Sequence, residues 1–161
     1  LILSLIINIE INKSDLAIIS HTKHKGCGLT IATAISLQTR YSIIMERTKL
    51  INQAQTDIKE LLGILNNYEK KQSELLDIID VLAQVYRKLP ETKNPEALLN
   101  RLVNYIRSVA LAGRIHFPTN EEKLIADIGV LGQRAGLNGV YMADYSAKSQ
   151  FYSIFEEIPR H

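Results

Sequence analysis

From Met45 onward, apolar side chains recur along the chain at three- and four-residue steps. Ile51, Ala54, Ile58, Leu61, Leu62 and Leu65 fall on one stripe of a helix. Asn66-Asn67 marks a break. A second stripe runs through Leu75, Ile78, Ile79, Leu82, Val85, Tyr86 and Leu89. Its other face carries Glu74, Asp77, Asp80, Gln84 and Lys88, of which Glu74, Asp77 and Asp80 read most simply as a solvated face. The helix has to stop near Leu89, because Pro90 disfavours helical backbone at the residue before it.

Asn94-Pro95-Glu96 is a start signal. Asn94 caps, Pro95 loses no hydrogen bond at the first helical position, and Glu96 suits the positive end of the helix dipole. A third stripe follows through Leu98, Leu99, Leu102, Tyr105, Ile106 and Val109, running on to Ala112. Beyond Pro118, the pair Thr119 and Glu122 has capping-box spacing and opens a fourth helix with Leu124, Ile125, Ile128 and Leu131 inward. Four amphipathic stripes on short connections predict an all-α fold, an antiparallel up-down four-helix bundle. Gly132, Gly136 and Gly139 then loosen the chain before an aromatic C-terminal tail. The end of the chain is expected either to stay an aromatic tail or to form a short fifth helix over Ser149 to Glu157.

The first 44 residues differ. They are rich in Ile, Ser and Thr, carry a β-branched cluster at Leu29–Ile35, and show no sustained helical period. The first Met is Met45. We read residues 1–44 as a leader, disordered or outside the native protein with translation starting at Met45, and residues 45–161 as the bundle domain. Leu1–Ile7 is apolar, but it lacks a basic region before it and polar residues interrupt it from Asn8 on. It suits neither a cleaved signal peptide nor a membrane span.

Charge removes one class of function. The net charge is only +2. Lys13, Lys23, Lys25 and Arg40 against Glu10 and Asp15 supply that excess, so residues 45–161 balance fifteen basic with fifteen acidic side chains. A nucleic-acid binder needs a basic excess to displace counterions. A helix-turn-helix at Gly113–Pro118 would also aim Asn120-Glu121-Glu122 at phosphates. A helical regulator or nucleic-acid-binding adaptor is the rival reading this charge balance opposes.

Catalytic chemistry finds little to stand on. His21, His24 and Cys27 lack a fourth ligand for a structural zinc site. Gly26-Cys27-Gly28 lacks the Gly-Lys-Ser/Thr of a phosphate loop. His116 sits at an interhelical corner, and Glu121 and Glu122 suit a helix N-terminus structurally. The single Cys excludes an intrachain disulfide and fits a reducing compartment. No enzyme, cofactor or metal is expected. The anomaly is the tail, where Tyr141, Tyr145, Phe151, Tyr152 and Phe155 crowd a short stretch. Such aromatics either anchor a partner or close the core.

The run Tyr105-Ile-Arg-Ser-Val-Ala-Leu-Ala-Gly-Arg-Ile-His-Phe117, then Pro-Thr-Asn-Glu-Glu-Lys-Leu-Ile125, resembles the third-to-fourth helix junction of the enterocin A and pediocin immunity proteins. Arg114, Ile115, His116, Phe117, Thr119, Glu121 and Glu122 occupy the matching positions. The resemblance spans about Met45 to His161, although the first two helices match only in pattern. It implies a cytosolic four-helix bundle that protects its cell from pediocin-like bacteriocins. It also implies action at the inner face of the membrane, on a mannose-phosphotransferase-type sugar permease in complex with the toxin. Peripheral membrane association follows. The C-terminal part would decide which toxin is countered, making Tyr141, Tyr145, Phe151, Tyr152 and Phe155 the partner-binding surface. The chain departs from the pattern in its 44-residue leader and in lacking tryptophan.

Overall fold

A computed structural model describes residues 31–134 and 146–161. The chain divides into two compact units, Leu1–Ser42 and Ile43–His161. The bundle and its candidate surfaces lie in the second. Four α-helices make up the described fold: α1 (Ile31–Asn66), α2 (Ser73–Lys88), α3 (Pro95–Ala112) and α4 (Thr119–Gln133). Among the described residues a 3₁₀ turn, Lys148–Phe151, follows them. No strand occurs among the described residues.

The helices alternate in direction, as side-chain contacts between them record. Gln55 on α1 donates to the Tyr86 carbonyl near the end of α2 at 3.3 Å. Gln72, just before α2, donates to the Gly113 carbonyl at the end of α3 at 3.0 Å. Arg107 late in α3 pairs with Glu122 early in α4 at 3.1 Å. Tyr68, just after α1, donates to Glu121 at the start of α4 at 3.1 Å.

The predicted stripes form the core. Ala54, Ile58, Leu61 and Leu65 are buried on α1, Leu75, Ile78, Leu82 and Val85 on α2, and Leu99, Leu102, Tyr105 and Ile106 on α3. Leu124, Ile125 and Ile128 complete it from α4, with Leu131 packed at its edge. Removing that much apolar surface from water is the main favourable term of folding. Asn94 caps α3 as expected, accepting from the Ala97 amide at 3.0 Å.

Four expectations are corrected. Helix α1 does not begin near Met45; it already runs from Ile31. Residues 31–44 contain no Gly or Pro, and helix propensity is a weak enough preference that their β-branched content does not stop a helix. The compositional change at Met45 is therefore not a break in the backbone. The Thr119–Glu122 capping box is not formed. Pro118 holds the N-cap position without a side-chain cap bond, Thr119 is already the first helical residue, and Glu122 turns to Arg107. Gly132 does not loosen the chain. It lies inside α4, where an added Cβ would meet the Asn100 backbone N at 2.7 Å, so α4 sits against the backbone of α3. The fifth helix shrinks to the four-residue 3₁₀ turn, and the Phe151 carbonyl at its end accepts from Lys88 and Gln84 on α2. Gly136 and Gly139 lie outside the described residues. Among the described residues, no helix is long and apolar enough to cross a membrane.

Candidate functional site

The polar face of α2 is a dock for the C-terminal tail, not a solvated face. Asp77, Asp80, Gln84 and Lys88 recur at three- and four-residue steps, so they line one side of the helix. Lys148 Nζ reaches Asp77 Oδ1 at 2.6 Å and Asp80 Oδ2 at 2.7 Å, and it also donates to the Pro159 carbonyl at 2.9 Å. His161 Nε2 lies 2.7 Å from the same Asp80 oxygen. About two turns further on, Lys88 Nζ pairs with Glu156 Oε2 at 2.6 Å and donates to the Phe151 carbonyl at 3.0 Å. Gln84, buried, donates to Glu156 at 3.0 Å.

Phe151 is the apolar anchor of this arrangement. Its side chain is only 3% exposed and meets the buried Tyr105 ring edge-on, with centroids 5.3 Å apart and planes at 74°. Burial, and then the nearby Asp77 charge, raise the Tyr105 pKa, so its hydroxyl stays protonated at any ordinary pH.

The clasp perturbs its own ionisable groups. The Lys88 ammonium, followed by the Ser153 amide, draws the Glu156 carboxyl down to about 2. Burial works against ionisation of Asp80, but its bonds to Lys148 and His161 outweigh that and lower its pKa. Burial likewise opposes charge on Lys148, and the two aspartates more than compensate, raising it. Asp77, Asp80 and His161 also bring ligand-type atoms within 4.8 Å of one another. The Lys148 ammonium already bridges the two carboxylates and neutralises them.

The predicted tail residues therefore separate. Phe151 belongs to the core, and Tyr152 is partly buried against it. Phe155 is 90% exposed, as is its neighbour Ile154 at 92%. Tyr141 and Tyr145 lie outside the described residues, as do His21, His24 and Cys27. Sequence reasoning missed Ile154, Lys148, Glu156 and His161. The available signal was the regular spacing of Asp77, Asp80, Gln84 and Lys88, a polar stripe as periodic as the apolar one.

A second feature is a groove of about 540 Å³ at the α3–α4 junction. Ile106, Ala110 and Ile125 form its floor, and Ile115 and Phe117 form one wall. His116 is exposed at its edge. Helix α3 ends in paired backbone bonds, Arg114 N to Leu111 O at 3.2 Å and Ile115 N to Ala110 O at 2.8 Å. That is the Schellman pattern, which places Arg114 in left-handed backbone at φ 52°.

The chain matches the model of the bacteriocin immunity protein family over residues 49–133, more than half its length. It is 66% identical over 80 residues to the probable leucocin-A immunity protein of Leuconostoc gelidum, covering 50% of this chain and 71% of that protein. It is 60% identical over 81 residues to the probable mesentericin-Y105 immunity protein of Leuconostoc mesenteroides, covering 50% of this chain and 72% of that one. No solved structure matches it significantly.

Proposed function

This chain belongs to the bacteriocin immunity protein family, and from that premise we propose that it protects its cell by occupancy, with the fastened C-terminal tail as the surface that reads the toxin complex. The toxin is a pediocin-like peptide of the leucocin A and mesentericin Y105 kind, because two similar proteins carry those names. The site of action is the cytosolic side of a mannose-phosphotransferase-type permease that holds the bacteriocin. The protein associates there peripherally and blocks pore formation. No bond is made or broken in this mechanism, so it needs no catalytic group and no cofactor.

The exposure of Ile154 and Phe155 carries the reading. Large apolar side chains on a loose tail would cost ordering entropy on binding. Here Phe151 fixes one side of the pair, and Glu156, held by Lys88 and the Ser153 amide, fixes the other. The apolar tip is presented in advance, which favours partner binding. The family match also ends at residue 133 and does not include the tail. That suits a part that differs with the toxin.

The test is expression in a bacteriocin-sensitive strain challenged with leucocin A. The unaltered chain should protect. Ile154→Ser with Phe155→Ser should abolish protection while circular dichroism and melting temperature stay unchanged. Full protection by this double variant would refute the tail as the reading surface.

A further inference from the structure

We propose that the groove at the α3–α4 junction is a second docking surface, which takes an amphipathic, carboxylate-bearing segment of a partner protein. It is separate from the tail. Glu74 near the start of α2 lies against the Gly113 corner, whereas Glu156 fastens to Lys88 at the other end of α2. Fourteen residues of helix between those positions span about 21 Å.

The chemistry of the occupant follows from the lining. The floor and wall described above are apolar, and Leu111 stands 82% exposed on the rim. An apolar surface of that kind calls for an apolar face on the partner. The charged lining is Arg107, Arg114 and Glu122. Arg107 and Glu122 already pair with each other at 3.1 Å. Arg114 is exposed and has no ion pair or side-chain hydrogen bond among the described residues. The groove therefore offers one free guanidinium beside apolar surface, complementary to a carboxylate on an otherwise apolar segment.

The backbone adds an independent observation. A left-handed residue after a helix is usually Gly, because a Cβ is strained there. Here the Gly stands one position early. Gly113 has ordinary backbone at φ −81° and is needed for space, since a Cβ would meet Glu74 Cβ at 2.8 Å. The strained position falls to Arg114. Stability alone would favour Gly at 114 as well, so a strained arginine at a groove rim fits retention for what its side chain does. A membrane surface is the less suitable occupant, because the site is concave and holds only one uncompensated cation.

The experiment uses the full chain and two synthetic helical peptides with the same leucine face, one with glutamates opposite and one with lysines. Vesicles containing phosphatidylglycerol form a third arm. The glutamate peptide should bind and shift the amide resonances of Leu111, Ile115 and Phe117. Arg114→Gly should bind it at least about tenfold more weakly, the usual scale for losing a charged hydrogen bond. The same variant should melt no lower than the parent, because glycine relieves the left-handed strain. Arg114→Lys should retain part of the binding. Equal binding of the lysine peptide, undiminished binding by Arg114→Gly, or binding to vesicles alone would each overturn the proposal. None of these readouts depends on protection, so this proposal and the reading of the tail can fail separately.

Discussion

Two segments from the C-terminal half lie against helices that precede them, by opposite means. Helix α4 packs on α3 through apolar side chains and close backbone approach, with Gly132 against the Asn100 backbone and Gly129 facing Val103. The tail lies on α2 through ion pairs and one aromatic anchor, Phe151. The first contact rests on buried apolar surface and carries only one exposed ion pair, Arg107–Glu122, so salt and pH act on it weakly. The second depends on charges that are partly exposed, which are screened by salt and lost on titration. The difference separates the scaffold, held by buried apolar surface, from the part that presents the apolar tip, held by charges and by Phe151.

The comparison breaks most severely at the scaffold. Leu102→Ala removes a fully buried side chain of α3 and should cost about 2–5 kcal/mol, read from chemical denaturation. A cost below about half a kcal/mol would mean that this face of α3 is not core. Next in size is the glycine pair on α4. Gly132→Ala should cost about 1–3 kcal/mol, because backbone atoms of α3 have to move. Gly129→Ala, whose new Cβ would sit 3.7 Å from Val103, should instead gain up to about 1 kcal/mol from better helix propensity. The same sign at both positions would contradict the close approach at Gly132.

The tail should respond to charge. Lys148→Met removes the cation shared by Asp77 and Asp80 and should cost about 1–2 kcal/mol. Limited proteolysis should then cut the tail while hydrogen exchange in α3 and α4 stays slow. Titration provides a second reading of the same contact. Asp80 and Glu156 have lowered pKa values, so their contribution is present above the ordinary carboxylate range and is lost as pH falls, for Glu156 toward about 2. Lys148 is raised, so its contribution holds below the usual lysine pKa and disappears as pH climbs past the elevated value. Tail protection should be greatest between about pH 5 and pH 10 and should weaken on both sides. A flat profile would mean that Phe151 alone holds the tail. The smallest effect is expected at Thr119, which makes no cap. Thr119→Ala should change stability by less than about half a kcal/mol, well under the value for a lost N-cap. A loss near 1 kcal/mol would restore the capping box.

The sequence by itself determined the scaffold. Apolar spacing of three and four residues located the inward faces of all four helices, and Asn94-Pro95 and Pro90 marked boundaries, because periodicity and backbone chemistry are local properties. It also determined the family, through the junction from Tyr105 to Ile125. What it did not determine depended on which surfaces meet. The polar stripe of α2 looks the same in sequence whether it faces water or Lys148. The aromatic cluster does not reveal that Phe151 is core while Phe155 is exposed. Thr119 and Glu122 have capping-box spacing, but only the entry of the chain through Pro118 decided that Thr119 is already helical. Gly132 has the composition of a breaker, and only the approach of α3 made it a packing residue. In each case the sequence supplied the chemical group, and the tertiary structure supplied the partner that gave the group its role.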